Sequence, residues 1–221
     1  MNKHNIFWNS ETAIVHIVNI LHKNKLIIGS TDTVLGLFAP ANQQGYNALN
    51  KIKGRQNKPY LLLTSSIIEI MRYVKLDHLF RIETITKALW PGPLTIIFKA
   101  RNDTPDYLCS PERNIAFRIP EHIGIQSLLQ HIPLIFSTSA NRSKMPTAHT
   151  IDKLDPLLIQ AIEAIITDHE HYNSALPSTL IDCSTIERDI ITLVREGAIP
   201  REKIEQVLPT QVQLIKQPYL T

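Results

Sequence analysis

Pro133-Leu134-Ile135-Phe136-Ser137-Thr138-Ser139-Ala140-Asn141 is a short apolar run that passes directly into hydroxyl and amide side chains. A continuous apolar run of this length suits a strand buried on both faces. In a sheet whose strands alternate with helices, a polar turn at the carboxyl end of a strand is where ligands tend to bind. The alternation repeats on either side. Upstream, Ile14, Ile17, Val18 and Leu21 sit at helical spacing over 11–22, with Ser10 as the N-cap. Leu26-Ile27-Ile28 reads as a strand ending at Gly29, and Tyr46, Leu49 and Ile52 mark a helix ending near Gly54. Residues 60–63 read as another buried strand. Helices are predicted at 66–72 and 77–89, the second capped by Asp77 and stopped before Pro91. Strands are predicted at 94–99 and 114–118, with a helix at 123–130. Downstream, 157–166 reads as a helix and then a strand. Residues 179–182 and 190–194 form a late strand pair, and Pro200 opens a final helix. The fold class is therefore α/β with a mixed sheet, since the late pair argues against a purely parallel one. The expected organisation is one domain over residues 1–208 and a loosely attached tail at 209–221.

Composition narrows the class further. Hydrophobic residues make up 43% of the 221, an ordinary globular proportion, and no apolar run approaches the length of a membrane span. The first five residues lack the apolar core of a signal peptide, and two distant cysteines, Cys109 and Cys183, suit neither a disulfide scaffold nor a zinc site. A cytoplasmic protein that makes no membrane contact is the expectation. A net charge of +3 permits nucleic-acid contact without requiring it.

The charge is unevenly placed. Residues 50–59 hold the four cations Lys51, Lys53, Arg55 and Lys58, and no acid occurs between Asp32 and Glu69. Cations at short spacing repel, and phosphate would offset that repulsion. An exposed helix end complementing its dipole is the competing account. There is no P-loop and no G-x-G-x-x-G, and seven glycines make a glycine-cradled phosphate an unlikely design for this chain. Ser30-Thr31-Asp32-Thr33 makes another polar turn after an apolar strand. Arg118 and Arg195 each end a strand and need an anionic partner, structural or substrate. Asp168-His169-Glu170-His171 has the composition of a metal tract but the weak spacing of a solvated loop. No Ser-His-Asp arrangement is evident, and no metal-binding residues are expected.

Taken in order, several segments resemble the YrdC/TsaC-type threonylcarbamoyl-AMP synthases. They are Thr31-Asp32-Thr33-Val34 with Gly36-Leu37, Lys53-Gly54-Arg55 with Lys58-Pro59, Trp90-Pro91-Gly92-Pro93-Leu94-Thr95, Arg118-Ile119-Pro120, Ser137-Thr138-Ser139-Ala140-Asn141, Pro177-Ser178-Thr179 and Leu193-Val194-Arg195-Glu196-Gly197. The resemblance implies a YrdC-like twisted mixed sheet with flanking helices and a positively charged concave face. It also implies a nucleotidyltransferase that makes threonylcarbamoyl-AMP and pyrophosphate from L-threonine, bicarbonate and ATP. The product would serve the N6-threonylcarbamoyl modification of tRNA adenosine through a downstream threonylcarbamoyl-transferase complex. By the family's pattern Lys53 and Arg55 are the catalytic pair. Arg55, Lys58, Asn114, Ser139, Asn141, Thr147 and Arg195 would hold ATP, with Mg2+ on its phosphates. Thr33, Arg118, Ser137 and Ser178 would hold threonine. Leu35 stands where the family usually has Tyr, so one wall of the threonine pocket is expected to differ. Gln56 and Lys144 are further departures, and Lys144 places a residue ill suited to φ > 0 where Gly is usual. The alternative from the same residues is a non-catalytic module binding tRNA or double-stranded RNA, with affinity that falls steeply with salt.

Overall fold

The computed structural model describes residues 4–10, 12–54, 58–143, 145–148, 150–168 and 176–217. Its strands are β1 (His4–Phe7), β2 (Ile27–Gly29), β3 (Gly36–Pro40), β4 (Leu61–Leu63), β5 (Leu94–Lys99), β6 (Asn114–Arg118), β7 (Ile135–Ser139), β8 (Ala164–Thr167), β9 (Thr179–Asp182), β10 (Ile190–Arg195) and β11 (Gln213–Lys216). Its α-helices are α1 (Ala13–His22), α2 (Gln43–Lys53), α3 (Ile67–Ile70), α4 (Leu76–Arg81), α5 (Glu83–Leu89), α6 (Ile123–His131), α7 (Pro156–Ala161) and α8 (Arg201–Glu205). The strands form one mixed sheet in the order β1-β8-β2-β3-β7-β4-β6-β5-β9-β10-β11.

Each predicted strand is present, and three further strands join them. β3 is buried at every position and so shows no alternation. β1 carries His4 and Asn5, and β11 is exposed at all but Leu214. β11 also corrects the expected loose tail, because residues 213–216 pair in parallel with β10 and bury Leu214. The helix predicted over 77–89 is two helices, broken at Ile82, whose backbone (φ −114, ψ 21) leaves the helical range. Ile82 is fully buried, so the apolar stripe runs across the break and hides it from periodicity. Asp77 lies inside the first turn of α4 and the cap is Lys75. At α1 the cap is Thr12, while Ser10 contributes its backbone oxygen to Ala13 N–H.

The sheet separates two apolar layers. On one face Leu49 of α2, Ile70 of α3, Leu79 of α4, Ile85 and Leu89 of α5, Leu158 of α7 and Ile204 of α8 pack on Leu37, Leu62, Ile96, Phe117 and Phe136. On the other, α1 and α6 cover β2, β3, β7, β8, the end of β4 and Ile6 of β1, through Ile17, Leu21, Ile125 and Leu128. α2 lies so close to β3 that a Cβ at Gly45 would stand 2.0 Å from the Pro40 carbonyl oxygen. Helix propensity favours Ala over Gly by about 1 kcal/mol. The clash is with backbone and cannot be relieved by a rotamer change, so it outweighs that gain. Gly45→Ala is expected to destabilise the protein by about 1–3 kcal/mol in thermal unfolding; a raised melting temperature would show that the contact yields.

Candidate active site on the open half of the sheet

Among the described residues, no helix packs on the opposite face of β5, β6, β9 and β10. In β5, β6, β9 and β10, Ile96, Phe98, Ile115, Phe117, Ile181, Ile191 and Leu193 enter the core. Their neighbours Ile97, Ala116, Leu180, Asp182 and Thr192 stay partly accessible on the opposite face. Register places the candidate residues on that open face. Arg118 sits opposite Leu63, and Ser137 opposite Leu61, two positions back along the same strand. Asn114 pairs with Lys99, and Thr95 with Leu180. Arg195 joins them through an irregularity: the ladder shifts between Leu193 and Arg195, so Arg195 faces Leu180. Regular alternation would have put it on the buried side with Leu193.

One end of this face is built around Arg118, which is only 4% exposed. Its Nε donates to the Gly92 carbonyl at 3.0 Å and its Nη1 to Thr33 Oγ1 at 2.9 Å. Nη2 comes within 2.5 Å of Asp32 Oδ1 and forms an ion pair with it. Burial pulls the Arg118 guanidinium below its ordinary pKa, and Asp32 opposes that shift. The Thr33 hydroxyl also contacts Thr31 Oγ1 at 3.0 Å. Gly92 N–H returns to the Ile119 carbonyl, closing the Trp90–Pro93 turn, which contains a cis Trp90–Pro91 bond, against the end of β6.

Arg195 reaches the same end. Its Nη2 donates to the Ser178 carbonyl at 2.8 Å, and the Ser178 hydroxyl meets Thr95 Oγ1 at 2.8 Å. Partial burial lowers its pKa, and repulsion from Arg118 lowers it further. Two arginines that feel each other's charge share one electrostatic site, and an anion between them would relieve the repulsion. Gly197 is required here because a Cβ would stand 2.2 Å from the Pro177 carbonyl oxygen.

The other end gathers around Lys53, the last residue of α2, ahead of Gly54 in the left-handed region (φ 60). The buried ammonium donates to the carbonyls of Ser139 and Asn141 and to Asn141 Oδ1. Asn141 Oδ1 also accepts from Ser139 Oγ, while its Nδ2 donates to the Met145 carbonyl. Lys53 therefore anchors the loop after β7 to α2 and gives Ser139 and Asn141 their orientation. Asn114 opens β6 on the same face as Arg118, about 13 Å away at strand rise, with a buried Oδ1 that finds no donor among the described residues.

The remaining candidates are placed as follows. Lys58 is exposed and Thr147 half-buried, while Ser137 is buried in β7 between β3 and β4. Arg55, Gln56, Lys144 and residues 169–171 of the acidic and histidine tract lie outside the described residues. Leu35 is 2% exposed within the core cluster that also holds Leu37. Sequence reasoning missed Asp32 as the counter-ion of Arg118 and Thr95 as the partner of Ser178. Asp32 carried a signal, as an acid between two threonines in a polar turn. Thr95 carried none, since a Thr within a strand is unremarkable.

A family model for the Sua5/YciO/YrdC domain, described as telomere recombination, matches residues 19–197. The chain belongs to the Sua5/YciO/YrdC family. A relative from Methanocaldococcus jannaschii, provisionally named a threonylcarbamoyl-AMP synthase, is 35% identical over 182 residues, which cover 81% of this chain and 83% of that protein. A variant of P. abyssi Sua5 superposes with a TM-score of 0.85 at 24% identity, covering 97% of this chain and 65% of the other. P. abyssi Sua5 complexed with L-threonine gives 0.79 at 24% identity, covering 97% of this chain and 62% of the other. These structures share the twisted mixed sheet with flanking helices and so confirm the fold expected for a Sua5/YciO/YrdC chain.

Proposed function

We propose that this chain is an L-threonylcarbamoyladenylate synthase, a nucleotidyltransferase that converts L-threonine, bicarbonate and ATP into threonylcarbamoyl-AMP and pyrophosphate. The carrying observation is the convergence of Arg118 and Arg195 with Thr33, Ser178 and Thr95 at one end of a sheet face whose other end holds Ser139 and Asn141. The names of the relatives agree with this reading.

The chemistry asks for alignment more than for a protein nucleophile. Threonine's amine adds to the carbon of CO2 with loss of a proton, or of bicarbonate with loss of water, to give a carbamate. A carbamate oxygen then attacks the α-phosphorus of ATP, and the bond to pyrophosphate breaks. Both reactants are anionic, so cations must hold them in contact and spread the developing charge. The Arg118 guanidinium suits the amino-acid carboxylate, with Thr33 and Ser178 as neighbouring hydroxyl contacts. Arg195 lies between the carboxylate and the phosphates. Ser139, Asn141 and Asn114 face the nucleotide, with Arg55, Lys58 and Thr147 as further contacts. Lys53 acts by holding the Ser139–Asn141 loop. Mg2+ would sit on the phosphates and supply charge neutralisation there. Transfer of the threonylcarbamoyl group to tRNA belongs to a downstream complex.

Incubation with ATP, labelled bicarbonate and threonine tests the reading. Pyrophosphate release that requires both threonine and bicarbonate, with label in an adenylate, is the expected result. Release independent of threonine, or no release, would remove it.

A further inference from the structure

Behind the arginine end lies a buried polar chain that the proposed reaction does not use. Trp8 Nε1–H donates to Ser30 Oγ at 3.1 Å, and Ser30 Oγ in turn donates to Asp168 Oδ2. The same carboxylate oxygen lies 3.0 Å from His122 Nε2. His122 Nδ1 accepts from Ile125 N–H at 3.2 Å and caps α6, which fixes the tautomer with the proton on Nε2. Trp8, Ser30 and His122 are each at most 6% exposed, and the Trp8 and His122 rings meet edge to face at 5.5 Å. The arrangement is not a hydrolytic triad. Ser30 and His122 both address Asp168, so the imidazole has no route to the serine proton.

Its position is informative. Ser30 immediately precedes Thr31-Asp32-Thr33, and His122 follows Arg118 by one short turn. The two segments that carry opposite sides of the arginine end are thus both tied to one carboxylate at the end of β8. A second tie runs directly between them, since Glu121 N–H donates to Asp32 Oδ2 at 3.0 Å. We propose that Trp8, Ser30, Asp168 and His122 are positioning residues for the threonine pocket, setting the separation between the loop of Asp32 and Thr33 and the strand end of Arg118. The inference rests on the threonine reading above.

Two variants break the chain while sparing the fold. His122→Asn keeps a side-chain acceptor able to cap α6 but is too short to reach Asp168. Asp168→Ala removes the one oxygen that accepts from both Ser30 Oγ and His122 Nε2. Each is expected to raise the KM for threonine about tenfold, leave the KM for ATP within about twofold, and speed amide exchange at Thr33 and Glu121. Ser30→Thr keeps the hydroxyl and should behave as wild type, whereas Ser30→Ala should follow His122→Asn. Equal losses for threonine and ATP, or unchanged threonine KM in both variants, would overturn the assignment. If the wild-type protein proves to bind no threonine, the functional reading falls by itself. Amide exchange then decides the coupling alone: faster exchange at Thr33 and Glu121 upholds it and unchanged exchange ends it.

Discussion

Replacing Arg118 by Lys is expected to raise the KM for threonine about 100-fold while the KM for ATP stays within about threefold. A Lys has a single ammonium on a flexible stem. It cannot contact the Gly92 carbonyl, Thr33 Oγ1 and Asp32 together and still offer a planar fork to a carboxylate. Stability must be separated from function at this site. Arg118→Met leaves Asp32 as a nearly buried charge without its cation, at a cost of about 3–5 kcal/mol. Adding Asp32→Asn removes that charge and should restore most of the melting temperature without restoring threonine use. Initial-rate kinetics of pyrophosphate release, with both substrates varied, read the first effect, and thermal unfolding reads the second. Recovery of threonine turnover in the double variant would mean that Arg118 acts through stability alone.

Lys53→Met is expected to lower kcat/KM for ATP by about two to three orders of magnitude, with threonine affinity changed by less than about threefold. The loss follows from three oxygens that would no longer share an ammonium, two of them backbone carbonyls of the loop that presents Ser139 and Asn141. Met matches the length of the stem and keeps it packed, so the stability cost should stay near 1–3 kcal/mol. Lys53→Arg should fall between, because a planar fork cannot satisfy oxygens arranged about a tetrahedral centre. Hydrogen exchange gives an independent view: Ser143 N–H, bonded to the Lys53 carbonyl, should exchange faster in Lys53→Met. Unchanged ATP kinetics in that variant would remove the anchoring role.

The layout of strands and helices was legible because most of this sheet is built from short apolar runs broken by Gly, Pro and polar turns. β3 escaped because Gly36-Leu37-Phe38-Ala39-Pro40 is buried throughout and contains residues that usually end strands. β1 and β11 escaped because edge strands that pair on one side carry little apolar signal. The motifs group Thr33, Arg118, Ser137 and Ser178 for threonine and place Arg195 with ATP, and the structure brings Thr33, Arg118, Ser178 and Arg195 to one end of a face. What motifs could not reveal was how those groups are supported. Asp32 neutralises Arg118 from another segment, and Asp168 links Ser30 to His122 across 138 and 46 positions. Local pattern does not join such partners, because nothing in the sequence around one of them points to the other. For Lys53, a basic residue in a signature does not disclose that its ammonium also binds the Ser139 and Asn141 carbonyls.

The slip in the ladder between Leu193 and Arg195 makes the placement of a guanidinium depend on residue count as well as residue type. Along 192–195 a conservative replacement preserves the arithmetic, whereas losing or gaining one residue turns the arginine towards the hydrophobic interior. Natural length variation in this hairpin should accordingly be far rarer than variation in its side chains, and shortening a neighbouring loop is a safer route to a more compact protein than trimming this strand.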